Sequence, residues 1–445
     1  MRTRRARRLS MTLGAITGVL VVGASTARAG GGACVAEFTG DCSLDATDVL
    51  AFVAAFNAGD PIANIVPDGA LDWTDVYAYL FAFSVGCTFD ADGDRLPDCA
   101  ETNTGVYVSP DDTGTDPSNP DTDNDGLRDG DEVLGTTSGL DLPAFGVSPV
   151  RRDILVETDW FSGVFEGQFR NFRPTDQALL LIEQCFASAP LPNPDGTTGV
   201  SMHIDRGQGG AFTGGEQLPG TPVFILFDAD FNEYKAEHFD PRRKGYFHYC
   251  IFANRYGNSN NGSSGFAEIN GDDFTVTLSN YFSSYNAAAT FVHELGHNLN
   301  LRHGGFENRN YKPNFNSVMN YRYQFAGADT DGDLYGDGLI DYSSGTYLPI
   351  DESSIDEKVG VLGSPLDLNY NGIIEPVPYA ANINCAYFTA ECGSNGGGEC
   401  GDTVCTTISD SDDWSRINWQ RLSVSPDRLP SSSRETVECD NWPGR

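Results

Sequence analysis

Apolar residues fall at helical spacing twice near the start of the chain, and in a mixture of periods from about residue 147 onward. In "LDATDVLAFVAAF" (44–56), Val49, Phe52, Val53 and Phe56 mark one face of a helix. The pattern returns at an offset of 27 residues in "LDWTDVYAYLFAF" (71–83). Each copy opens with an acidic turn, Asp45 and Asp48 in the first and Asp72 and Asp75 in the second. From 147 the signals are those of a folded α/β domain. "RRDILVETDW" sets Ile154, Val156 and Thr158 against Leu155 and Glu157 and predicts a strand. "PTDQALLLIEQCFASA" predicts a helix, with Leu179, Ile182 and Phe186 on one face and Asp176 in its first turn. Strand candidates follow at 199–205, 222–228, 246–253 and 273–280, then the helix "NAAATFVHELGHNLN" and a long, loop-rich remainder. The fold class expected is α/β (α+β), with a twisted mixed sheet and one helix that carries the chemistry.

Composition changes this picture in three ways. The first 29 residues read as an export signal: a basic start, an apolar run from Met11 to Val22, and small residues at Ala27–Ala29. The mature chain is therefore expected to be secreted or held at the cell surface, with no membrane span. A net charge of −35 would repel phosphates, so no nucleic-acid partner is expected. All 11 cysteines lie beyond the signal, where an oxidising compartment favours disulfides. Cys385, Cys392, Cys400 and Cys405 are expected to form two local disulfides, with a four-cysteine zinc knot as the alternative. The odd total leaves one thiol unpaired or bonded between molecules.

The acidic residues are spaced like metal ligands. A hard cation needs several converging oxygens, and a tight loop delivers them from alternate positions. "DADGDRLPDCAE" (90–101) offers Asp90, Asp92, Asp94, Asp98 and Glu101 at positions 1, 3, 5, 9 and 12 of such a loop. "DTDNDGLRDGDE" (121–132) offers Asp121, Asp123, Asp125, Asp129 and Glu132, with Gly126 at the sharp turn. These ten residues are expected to bind calcium. The segment "TDPSNPDTDNDGLRDGDE" resembles thrombospondin type 3 repeats, which implies a calcium-organised stretch with little core of its own. The duplicated helices resemble dockerin modules, relatives of the EF-hand. Their loops depart from that pattern, with Val66 at a ligand position of the second copy and Glu37 and Thr39 at positions 1 and 3 of the first. A plain helical pair closed by a disulfide such as Cys42–Cys87 is the alternative. Later loops at 329–338 and 367–375 suit calcium or are ordinary turns rich in aspartate, asparagine and glycine.

The densest chemistry is "HELGHNLNLRH" (293–303). His293 and His297 are one helical turn apart and share a face, with Glu294 beside them and Phe291, Leu295 and Leu299 on the opposite stripe. This spacing predicts two zinc ligands on the floor of a cleft and a carboxylate base. His303 reaches the same ion only if the chain turns sharply after His297. Asn300 would supply that turn, because asparagine tolerates positive φ better than any residue except glycine. His203, His238 and His248 read as strand or surface residues. The motif, together with "NSVMNY" (316–321), resembles the metzincin metallopeptidases, in which a glycine occupies the position of Asn300. The resemblance implies catalytic zinc on His293, His297 and His303, Glu294 as general base and Met319 as an apolar base under the metal. Tyr321 would be a fifth ligand or an oxyanion donor, and the substrates proteins or peptides.

Four segments follow: a signal at 1–29, a dockerin-like module at 30–88, acidic calcium repeats at 89–146, and a peptidase domain at 147–445 with a cysteine-rich end. The N-terminal repeats would suit a cell-surface or extracellular scaffold partner. The rival reading is a calcium-dependent adhesion or surface-assembly protein with a structural zinc site.

Overall fold

The computed structural model describes residues 35–40, 42–86, 89–165, 167–220, 230–255, 263–279, 282–394, 400–419 and 436–439. The expected signal, the strand at 222–228 and Cys87 lie outside them.

The repeated pattern forms two equivalent helices, α1 (Ala46–Ala58) and α2 (Trp73–Val85). Each is started by a reciprocal capping box. Asp45 accepts from Thr47 N–H while Asp48 accepts from Asp45 N–H, and Asp72 and Asp75 repeat the arrangement. Phe52 of α1 stacks on Tyr79 of α2 at 3.9 Å between ring centres, in a small core with Ala36 and Ala63. Asp48 and Asp75 are wholly buried. Asp48 accepts from the Phe38 and Thr39 amides and Asp75 from the Val66 amide, so these acids hold loop backbone in place.

The larger unit is a mixed α/β fold around a mostly parallel sheet. Its strands are β1 (Asp153–Trp160), β4 (Ser201–Asp205), β5 (Phe247–Phe252), β6 (Gly265–Glu268), β7 (Asp273–Val276) and β10 (Thr436–Cys439). Their order is β10-β6-β7-β5-β1-β4, with β4, β1, β5 and β7 parallel and β6 and β10 antiparallel to their neighbours. β2 (Ser162–Phe165) and β3 (Gln168–Asn171) form a separate hairpin.

All eight residues of β1 are buried, because it lies between two parallel neighbours and such interior strands are covered on both faces. Its acids are therefore bonded to neighbouring side chains. Arg243 bonds Glu157 and Asp205, each at 2.6 Å, and Asp159 accepts from the Tyr249 hydroxyl. Strand β5 divides its side chains by parity. Phe247 and Tyr249 meet Phe145, Phe231 and Phe239 on one face, while Phe252 meets Phe291 on the other. Phe291 belongs to α6 (Ser284–Asn298), which packs beside α4 (Asp176–Ala187) over the sheet. The remaining helices are α3 (Asp129–Leu134) and α5 (Asn232–His238).

Packing does not break at residue 146. Leu127, Leu140, Leu142 and Phe145 belong to the same core as the sheet and α6. The remainder beyond α6 holds a second core, including Tyr347, Ile350, Val361, Ile383 and Ile408, with the short pair β8 (Ile350–Asp351) and β9 (Thr407–Ile408). Disulfides Cys385–Cys400 and Cys392–Cys405 close this region. Among the described residues, no helix is long and apolar enough to cross a membrane.

Candidate metal centre

Helix α6 starts on Ser283, whose hydroxyl accepts from Asn286 N–H, and it is buried along its whole length from Ala287. It ends in a Schellman motif. Leu299 caps it, Asn300 N–H donates to His297 C=O at 2.9 Å, and Leu301 N–H donates to Gly296 C=O at 2.8 Å. Asn300 has φ 77°, the left-handed value that reverses the chain. The reversal brings His303 back beside the helix.

The three imidazoles converge. His297 Nε2 lies 3.2 Å from His293 Nε2 and 3.2 Å from His303 Nε2. The other ring nitrogens fix the tautomers: His293 Nδ1 donates to Val318 C=O at 2.7 Å and His297 Nδ1 to Leu301 C=O at 2.8 Å. The Nε2 lone pairs of His293 and His297 therefore face the cluster. Burial lowers the His293 pKa to about 4. Burial and then the neighbouring imidazoles push His297 and His303 well below the usual histidine range. Neutral rings are the form that binds a metal. A tetrahedral zinc ion about 2.0–2.1 Å from each nitrogen sets nitrogens about 3.3–3.4 Å apart, so the observed spacing fits this group.

Met319 lies under the helix, and Gly296 is what lets it approach. A Cβ on Gly296 would sit 2.4 Å from Met319 Sδ and 3.0 Å from the Tyr342 hydroxyl. That hydroxyl donates to Val292 C=O at 2.6 Å, and Val318 N–H donates to Asp341 C=O, which anchors the turn beneath the histidines. Glu294 lies against β6: a Cβ on Gly265 would sit 2.3 Å from its Oε1. Tyr321 stands over His303, with ring centres 4.3 Å apart.

The site is more enclosed than the expected cleft floor. His293, His297 and Glu294 are wholly buried, and the half-buried Tyr321 is its more exposed member. The reason is that α6 is a central helix covered on all sides. Gly265, Gly296 and Tyr342 were not singled out from sequence, since a lone glycine gives no signal of what it approaches. The other histidines lie elsewhere. His203 pairs with Asp153, His238 with Glu216, and His248 with Asn298.

The acidic loops are brought together across segments. Asp90, Asp92 and Asp94 form one group of converging oxygens, and Asp121, Asp123 and Asp125 form another. Asp129 of the second loop joins Asp94 and Glu101 of the first, while Glu132 joins Asp125 and Asp153. Gly130 allows the loops to touch, as its N–H donates to Asp94 and a Cβ would strike the Asp94 carbonyl. Asp98 accepts from Ala91 N–H. The later loops at 329–338 and 367–375 are knitted by their own amides, with Asp329 accepting from Gly332 and Leu334 and Asp367 from Gly372. Cys42, offered in the alternative reading as a partner of Cys87, which lies outside the described residues, has its thiol against that of Cys99. No protein-family model matches this chain, and no curated protein matches it either.

Proposed function

We propose that this chain is a zinc-dependent endopeptidase of metzincin type, stabilised by calcium in its acidic loops. The observation that carries the reading is the cluster of three neutral imidazoles, in which His297 Nε2 lies 3.2 Å from both His293 Nε2 and His303 Nε2 and two rings are oriented by backbone carbonyls. His293, His297 and His303 would hold the zinc. When bound, that ion lowers the pKa of water and polarises a carbonyl. Glu294, one residue from the first ligand and held against Gly265, takes the proton of the attacking water and passes it to the leaving amine. Tyr321 offers a hydroxyl beside His303 to the oxyanion of the tetrahedral intermediate. Met319 fills the space against Gly296 under the helix that carries the histidines. Export by a cleaved signal and protein or peptide substrates belong to the same reading.

The test pairs metal analysis of the purified protein with a casein assay. One zinc per chain and proteolysis blocked by a hydroxamate are expected. Bound zinc without any proteolysis would favour the rival, a calcium-dependent adhesion protein with a structural zinc site.

A further inference from the structure

The oxygens of Asp125, Glu132 and Asp153 lie within 4.8 Å of one another, and all three side chains are buried. Asp125 and Glu132 come from the acidic segment, but Asp153 is the first residue of β1, an interior strand of the sheet. Glu132 is only 2% exposed, and neither of its carboxylate oxygens has a hydrogen-bond partner. Asp123 Oδ2 is in the same position, with Asp123 1% exposed. Asp125 is shared, because it also converges with Asp121 and Asp123. Backbone amides supply part of the compensation: Asp153 N–H and Leu127 N–H donate to Asp125 at 2.7 and 2.8 Å. Among the described residues, no lysine or arginine forms an ion pair with Asp123, Asp125, Glu132 or Asp153. Carboxylates packed this closely out of water must take up protons or a cation, and their converging, unpartnered oxygens suit a multivalent, oxygen-seeking ion.

We propose that Asp121, Asp123, Asp125 and Glu132 share a calcium site with Asp153, so that the ion clamps the acidic segment onto the first strand of the sheet. The clamp is supported from behind. His203 of β4 bonds Asp153 Oδ1 and Ser148 N–H donates to Oδ2, and both oxygens keep a second lone pair for a cation. Calcium here holds the core strand as well as the loop. Leu127, two residues beyond Asp125, is already part of the main core. The proposal rests on the calcium part of the functional reading and is independent of proteolysis.

The experiment is a calorimetric titration of the full chain with calcium chloride after dialysis against a calcium-selective chelator. Asp153→Asn and Glu132→Gln should each weaken one calcium site by about tenfold or more, because each removes a charged ligand. Asp329→Asn, in a loop remote in sequence, should leave that site unchanged. A wild-type chain that takes up no calcium overturns the calcium reading altogether. Wild-type stoichiometry and affinity in Asp153→Asn, with loss in Glu132→Gln, overturns the shared site alone. If Asp153→Asn does not fold, hydrogen exchange of the wild type decides. Amides of residues 153–156 should exchange more slowly with calcium, and equal rates overturn the clamp.

Discussion

The histidine triangle and the buried acidic clusters both turn lone pairs toward a common point, yet they tolerate this in opposite ways. Buried imidazoles shed their second ring proton, become neutral and rest against one another with little repulsion. His293 is already held near pKa 4 by burial, and its tautomer is set by the Val318 carbonyl. Carboxylates are ordinarily charged at pH 7, so crowding them out of water is relieved only by protons or by a cation. Burial and then neighbouring charge push Asp125, Asp123 and Glu132 well above the carboxylate range. A site of the first kind can be built in advance by the fold, whereas one of the second kind needs its cation to fold well. On the proposed reading, the histidine centre would serve chemistry and the acidic clusters would serve stability.

The largest expected effect is at Glu294. Glu294→Ala should retain zinc and the fold but lose activity by about 10²–10⁴-fold, the usual contribution of a general base. Near-normal cleavage of a peptide would sink the mechanism. A smaller loss, on the order of tenfold or more, is expected in Gly265→Ala, whose Cβ displaces the Glu294 carboxylate. Unchanged turnover there would mean that the carboxylate is not held by β6.

Metal removal tests the contrast itself. Chelating calcium should lower the melting temperature by about 5 °C or more, since several buried charges lose their counter-ion. Removing zinc alone should lower it less, and the reverse order would mean that the histidine centre, not the acidic clusters, carries the metal-dependent stability. The stability of the calcium-free chain should also depend on pH. Asp129 is raised to about 7 and Glu101 to about 8, chiefly by burial. The folded calcium-free chain then holds protons that the unfolded chain releases near pH 4, so its stability should fall as pH rises from about 4 to 8. With calcium bound, that decline should vanish. Thermal melts across this range with and without calcium would report it.

The smallest effect is at Asn300. With φ 77°, Asn300→Gly should stay within about 1 kcal/mol of the parent in stability and keep its zinc affinity. Asn300→Val should lose about 1–2 kcal/mol and bind zinc more weakly, because a β-branched residue resists the left-handed turn that returns His303. Valine proving harmless would mean that the reversal does not depend on this residue's conformation.

Much of this was legible in the chain because it is local. The capping acids Asp45 and Asp72, the one-turn spacing of His293 and His297, and the asparagine that must reverse the chain are encoded within a few residues of where they act. A helix period and a positive φ are properties of short segments. The alternate carboxylates at 90–94 and 121–125 were visible for the same reason, as three oxygens of each loop converge within it. What sequence could not decide was which distant partners complete each group. Two self-contained calcium loops were expected, but Asp129 crosses to Asp94 and Glu101, and Asp153 crosses from the sheet to Glu132. The same holds for Gly265 under Glu294, Gly296 above Met319, Cys99 beside Cys42, and the second core that organises the remainder beyond the histidines. These contacts join residues far apart in the chain: Cys42 and Cys99 are 57 positions apart, and the Tyr249–Asp159 hydroxyl–carboxylate bond spans 90. Packing of the whole sheet selects such pairs, since burial couples every side chain to whatever the fold places opposite it.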